Sequence, residues 1–294
     1  MFYQNDKNWH SQLISSKNTK MTINCKGQLI DLTIPKVMGI LNVTPDSFYD
    51  GGIYKNNSDI LEHVDKMLNE GATFIDIGAY SSKPNAVHIS ETEELQRLLP
   101  ILKLLTDAFP DILISIDTFR SNVAETSINA GACMINDISA GKIDENMMAT
   151  IAKLKVPYVM MHMKGTPQNM QQNTSYEDLL KDILFYFSER IEAAKALGIV
   201  DIIIDPGFGF SKTTAQNFEL LKHLEVFKIL EKPLLVGFSR KSMIYKTLKS
   251  SAADALNGTT VLNTLALQKN ASILRVHDVK EAKECIELTQ QLKL

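Results

Sequence analysis

The sequence predicts a (β/α)8 barrel over residues 36–294, preceded by a short β-hairpin within residues 1–35. Eight apolar runs of strand length alternate with helical patterns across about 250 residues, the repeat of such a barrel. The runs are continuously apolar rather than alternating, as expected of parallel strands covered on both faces. An open doubly wound sheet would want a glycine-rich phosphate loop after its first strand, and NVTPDSFYDGG is not one.

In order, KMTINCKGQLIDLTI alternates around Lys26-Gly27, the pattern of a hairpin. The eight runs follow: VMGIL (37–41), TFIDI (73–77), ILISI (112–116), ACMI (132–135), VPYVMM (156–161), DIIID (201–205), PLLVG (233–237) and SILRV (272–276). In EDLLKDILFYFSERIEAAKALG, the residues Leu180, Ile183, Leu184, Phe187, Ile191 and Ala194 recur at helical spacing, and Gly198 closes the helix. Thr174 with Glu177 and Ser90 with Glu93 have the spacing of capping boxes. No Pro/Ser linker or break in composition divides the chain, which argues for one domain.

The hydrophobic fraction of 45% and charged fraction of 22% over 294 residues are those of a soluble globular protein. A net charge of −3 with no long basic run argues against nucleic acid and anionic membranes as partners. No run reaches the roughly 18 apolar residues of a membrane span, and MFYQNDKNWH lacks the apolar core of a signal peptide. Cys25, Cys133 and Cys285 are odd in number, far apart and outside metal-ligand spacing, so they read as free thiols of a reducing cytoplasm.

The strand ends carry the functional signal. The first run ends in Asn42, the third in Asp117, the fourth in Asn136-Asp137, the fifth in His162 and the sixth in Asp205. The seventh runs through Gly237 into Ser239-Arg240-Lys241, and the eighth ends in Arg275-Val276-His277-Asp278. In a barrel all these ends meet on the face that carries active sites. A single strand-terminal Asp is ordinarily a helix cap; this many polar ends predict a mouth that binds something polar. The strand IIID is the sharpest case, because a buried carboxylate needs hydrogen bonds or an opposite charge.

Five segments, VMGILNVTPDSFYDGG, SIDTFRSNVAETSINAGACMINDISAG, DPGFGFSKTTAQNFELL, PLLVGFSRKSMI and ILRVHDV, resemble the motifs and spacing of the dihydropteroate synthase family across residues 36–290. The resemblance implies a transferase of folate biosynthesis. Such an enzyme joins 6-hydroxymethyl-7,8-dihydropterin diphosphate to 4-aminobenzoate with loss of pyrophosphate, and sulfonamides act on it as aminobenzoate mimics. It further implies that Asp205, Asp117 and Asn136 hold the pterin edge, that Lys241 reaches the ring carbonyl beside Gly237, and that Met161 and Phe210 line the flat faces. For Met161, simple core packing is an equal alternative.

Arg275 and His277, two apart on one strand, point the same way and are expected to clasp the diphosphate. Asn42 is the expected ligand of a Mg²⁺ ion on that diphosphate, and Asp117 the expected stabiliser of a pterin cation. An aromatic amine is neutral at pH 7, so no general base is required, and His162 receives no role. Ser82, Lys83, Pro84 and Ser239 correspond to the aminobenzoate contacts. The loops at 42–52 and 78–90, rich in Gly, Ser, Pro and Asn, are expected to cover the site.

One stretch departs from the family. Many members read Gly-Glu-Ser-Thr-Arg-Pro-Gly where this chain has Ala79-Tyr80-Ser81-Ser82-Lys83-Pro84-Asn85, and lysine lacks the planar fork of arginine. A corrinoid methyltransferase of the same barrel class would not need Lys241, Arg275 and His277 together. A non-catalytic paralogue would show losses among these residues, and a phosphosugar barrel would want a glycine-rich phosphate site where this chain has GFSRKS. The family usually forms homodimers, with which the stripe Ala255, Val261, Leu262 and Leu265 is compatible.

Overall fold

Side chains on a strand alternate between its two sides, and in this chain that parity separates the helix-facing core from the barrel lumen. The computed structural model describes residues 21–43, 57–81 and 88–292. Eight parallel strands are present: β3 (Lys36–Asn42), β4 (Phe74–Gly78), β5 (Ile114–Asp117), β6 (Met134–Asp137), β7 (Tyr158–Met161), β8 (Ile202–Asp205), β9 (Leu235–Val236) and β10 (Ile273–Val276). Their order is β8-β7-β6-β5-β4-β3-β10-β9, and a parallel bridge between Ile204 and Leu234 joins the ends of the sheet into a cylinder. Helices follow the strands in turn: α1 (Asn57–Asn69), α2 (Glu91–Ala108), α3 (Ser121–Asn129), α4 (Met147–Leu154), α5 (Leu179–Ala196), α6 (Thr214–Lys222), α7 (Ser242–Leu248), α8 (Leu256–Gln268) and α9 (Val279–Gln291). The predicted barrel is the observed one.

Outward positions such as Val37, Ile75, Ile77, Ile116, Ile135, Ile204 and Val276 pack with the helices in one large core. Inward positions Met38, Phe74, Met134, Val159, Ile203, Leu235 and Ile273 form a second core inside the cylinder. The predicted hairpin, β1 (Thr22–Cys25) and β2 (Gln28–Asp31), turns at Lys26 and Gly27 with φ of 53° and 81°. Two successive positive φ values suit a tight two-residue turn. Its buried face, Ile23, Cys25, Ile30 and Leu32, joins the inner core and closes the N-terminal end of the barrel. Burying Phe74 there contributes about 2 kcal/mol, and the strands can afford polar inward residues only beyond this layer.

The ends of the helices correct one expectation. Ser90 Oγ accepts from Glu93 N at 3.1 Å, as the spacing suggests, but the Glu93 carboxylate turns to Arg97 rather than back to the cap. Thr174 and Glu177 do not form a capping box. The helix starts later, and Asp178 caps it by accepting from Lys181 N at 3.1 Å. A complete box sits instead at Thr213 and Gln216. The proposed dimer stripe divides: Ala255 and Leu262 are buried against the barrel, whereas Val261 and Leu265 are exposed.

Gly207, after β8, has a φ of +73°, and a Cβ there would meet the His162 carbonyl oxygen at 2.1 Å. Gly198 has a φ of +83° with open space around it. Gly207→Ala is therefore expected to lower stability by about 3 kcal/mol or more, and Gly198→Ala by only about 1 kcal/mol. Urea denaturation of the two variants measures the difference.

Candidate active site

Two or four residues beyond the apolar inward positions, the same parity brings mostly polar groups into the lumen. The inward series continue to Asn42 on β3, Asp76 on β4, Asp117 on β5, Asn136 on β6, Met161 on β7, Asp205 on β8 and Arg275 on β10. Gly237 follows β9. Arg275 lies at the centre of this layer: its Nε donates to Asp76 Oδ2 at 2.6 Å and its Nη2 to Asp117 Oδ2 at 2.8 Å. Asn136 Nδ2 donates to the same Asp76 oxygen at 3.1 Å. Asp76 is wholly buried, and its Oδ1 has no hydrogen-bond partner among the described residues.

Across the lumen, Asp205 Oδ1 accepts from Gly207 N at 2.8 Å. Lys241 stretches back over the turn after β8, donating to Phe208 O at 2.5 Å with its Nζ 4.9 Å from the centre of the Phe210 ring. Gly237 leaves room here, since a Cβ on it would come within 3.9 Å of Lys241 Nζ and 3.8 Å of Arg275 Cβ. Asn42 and Asp117 flank Gly78: a Cβ on that glycine would lie 3.8 Å from Asn42 Oδ1 and 3.7 Å from Asp117 Oδ2. Above the charged layer, Tyr80, Phe119, Ile138, Met161 and Met163 pack together, with Phe210 against them, as an apolar rim.

The charges influence one another strongly. Burial lifts the Asp117 carboxyl to about 7 against the pull of Arg275, and neighbouring Asp76 adds to the rise. Burial also raises Asp205, opposed by Lys241. Burial lowers Lys241 to about 8 despite Asp205. Although burial works against its charge, Asp76 and Asp117 hold the Arg275 guanidinium above its usual range. Three carboxylates therefore face two cations in a dry lumen, an arrangement suited to hydrogen-bond donors and developing positive charge.

The structure brings Asp117, Asn136, Asp205, Gly237, Lys241 and Arg275 together, with Met161 and Phe210 at the rim. Ser239 and His277 meet beside them, with Ser239 Oγ 2.9 Å from His277 Nδ1 and accepting from His277 N at 3.1 Å. Ser82, Lys83 and Pro84 lie outside the described residues, as does most of the loop at 42–52. Of the departing stretch, Tyr80 is described: its hydroxyl accepts from Gln168 Nε2 at 2.6 Å, and its ring meets Phe119 edge-on at 5.0 Å.

Three groups of strand-end residues do not face the lumen. Asp137 points to the helix side, accepting from Ser139 N, Gly141 N and the Tyr158 hydroxyl. The His162 ring is buried against Tyr186, 4.8 Å between centroids. Arg240 and Asp278 are taken up by a two-pronged ion pair with each other. Each lies one residue past an inward position, so parity turns it away. Conversely, the sequence reading passed over Asp76 as part of an apolar run. Asp76 stands two residues after Phe74, and only the strand register shows that both are on the lumen side.

Residues 38–277 match the family of pterin binding enzymes. The chain is 39% identical to dihydropteroate synthase of Escherichia coli over 92% of its own length and 96% of the relative's. It is 40% identical to the Haemophilus influenzae enzyme over 92% and 98%. Among solved structures, Yersinia pestis dihydropteroate synthase in a sulfonamide drug complex superposes with a TM-score of 0.88 at 42% identity, covering 93% of this chain and 99% of that one. The Xanthomonas albilineans enzyme with 4-aminobenzoic acid gives 0.86 at 37%, over 94% and 99%. The lumen of polar strand ends and these likenesses agree: the chain belongs to the dihydropteroate synthase family, pterin-binding transferases of folate biosynthesis.

Proposed function

We propose that this chain condenses 6-hydroxymethyl-7,8-dihydropterin diphosphate with 4-aminobenzoate through a pterin cation, using the lumen residues in the following roles. The observation that carries the reading is the linked set Asp76–Arg275–Asp117, facing Asp205 and Lys241 within one lumen. Asp205 accepts the paired N–H groups of the pterin edge, a charge-assisted contact of fixed geometry. Asn136 and Asp117 complete the edge, Lys241 takes the ring carbonyl beside Gly237, and Met161 and Phe210 cover the faces.

Arg275 and His277 bind the diphosphate. The carbon–oxygen bond breaks with its electron pair leaving on pyrophosphate, and the cation that remains is delocalised over the pterin. Asp117, ionised, stabilises that cation. The neutral amine lone pair then forms the carbon–nitrogen bond and the nitrogen loses a proton, so no side chain need act as base. Ser239, Ser82, Lys83 and Pro84 hold aminobenzoate, and the covering loops keep water from the cation.

Among the described residues no three His, Cys, Asp or Glu side chains are grouped to hold a metal. The half-buried amide of Asn42 beside Asp117 offers a single hard oxygen. That donor fits Mg²⁺, which binds mainly phosphate and water oxygens and few protein groups. Bound there, Mg²⁺ would supply charge neutralisation for the leaving diphosphate. Exposed Val261 and Leu265 of α8 form the proposed face for a second copy of the chain. The reaction is assigned to the cytoplasm, where three buried thiols stay reduced.

Three measurements test this. Purified protein given dihydropterin diphosphate, 4-aminobenzoate and Mg²⁺ is expected to form dihydropteroate and to release pyrophosphate faster when the amine is present; no amine-dependent release overturns the reading in favour of a pterin-binding protein of another activity. Asp205→Ala is expected to weaken pterin binding about 100-fold or more, a loss of about 3 kcal/mol by calorimetry, with an unchanged far-ultraviolet spectrum. The pH profile gives the third. Asp117 acts as the anion, and its carboxyl is raised to about 7, so the rate should climb as pH rises through about 7. Removing a neighbouring negative charge eases ionisation, so Asp76→Asn should move that limb to lower pH.

A further inference from the structure

Lys212 ends the segment DPGFGFSK and is buried, 3% exposed, yet among the described residues it makes no ion pair. Burial lowers its amine to about 7 although the charge of Asp205 opposes the fall, and a methionine of the same length would fill the space without that cost. The three groups around it explain its presence. Its Nζ lies 3.0 Å from His162 Nδ1, 3.0 Å from Gly207 O and 3.0 Å from Phe210 O. Two of these are carbonyls of the turn that follows Asp205. The third belongs to His162, the residue after β7, whose N donates to Asp205 O at 2.9 Å.

The same turn is gripped from the lumen by Lys241 through Phe208 O at 2.5 Å. Two lysines thus hold the carbonyls of one turn, Lys212 those of Gly207 and Phe210 and Lys241 that of Phe208. Between them the turn presents the Gly207 N–H to Asp205, and the Phe210 ring to Lys241. We propose that Lys212, with His162 as its acceptor, is a positioning residue that holds the turn 206–211 in the shape that aims Asp205 and Phe210 at the pterin. It touches no substrate; it acts through the backbone of that turn. His162, which has no part in the chemistry, is accounted for by the same clamp. Burial and the cations Lys212, Lys164 and Lys142 keep the ring below its ordinary range, so it is neutral and able to accept at Nδ1.

The proposal rests on the functional reading above and separates from it by experiment. Pyrophosphate release is measured for the wild type, Lys212→Met, His162→Leu and His162→Asn, with a thermal midpoint for each. Lys212→Met and His162→Leu are expected to raise KM for dihydropterin diphosphate about 10- to 100-fold, leaving KM for aminobenzoate within about twofold. His162→Asn, which keeps an acceptor near the Nδ1 position, is expected to restore most of the loss. If Lys212→Met does not fold, the His162 pair decides by the same criterion. Unchanged constants, equal losses for both substrates with a fallen midpoint, or no difference between Leu and Asn at 162 overturns the clamp while the functional reading stands. A wild-type chain without amine-dependent release overturns the functional reading and the clamp with it.

Discussion

Arg275 is shared between two carboxylates, and the charged half of the barrel is arranged around that sharing. A guanidinium in a dry lumen needs its donors satisfied, and Asp76 and Asp117 accept from two edges of its fork. Asp76 also accepts from Asn136, so one buried carboxylate aligns a cation and an amide that come from strands on either side of it. The cluster carries more negative than positive charge. Burial pushes Asp117 and Asp205 towards their neutral forms and Lys241 towards its own. Such a site is suited to exchange these internal pairings for a ligand that donates hydrogen bonds at one end and carries phosphate at the other.

What allows charge inside a barrel is the apolar layer beneath it. Met38, Phe74, Val159, Ile203 and their neighbours fill the cylinder, and the N-terminal hairpin closes it with Ile23, Cys25, Ile30 and Leu32. The hairpin is therefore part of the core. With that layer beneath it, the charged layer opens towards the C-terminal mouth, the path by which substrates reach the active sites of such barrels. The apolar rim of Tyr80, Phe119, Met161 and Phe210 narrows that path further. Tyr80, one of the residues at which this chain departs from the commoner family pattern, is tied across the mouth to Gln168. The first visible consequence of that departure is structural, the hydrogen bond to Gln168 and the edge-on contact of Tyr80 with Phe119.

The turn after β8 shows how such a site is held. Its glycine at 207 fits against the His162 carbonyl where no Cβ could. Its carbonyls are shared out between Lys212 and Lys241. A backbone of two glycines and two phenylalanines gains from these two lysines a rigidity that its own composition does not supply.

Much of this was legible from residue order. Eight apolar runs fixed the strand count, Lys26-Gly27 the hairpin turn, and the polar strand ends the face that binds ligand, because burial and turn chemistry act over a few neighbouring residues. The inward or outward sense of each end needed the strand register. Asp117, Asn136, Asp205 and Arg275 face the lumen, whereas Asp137, His162 and the Arg240–Asp278 pair do not, and one residue of offset decides between them. Asp76 was hidden because a lone carboxylate between isoleucines shows its purpose only when Arg275, 199 positions away, is brought to 2.6 Å. The kinds of groups in this protein and their order along each strand were set by local sequence. Which of them become partners was decided only when the cylinder closed, because ion pairing falls off over a few ångströms and the chain alone carries no such distances.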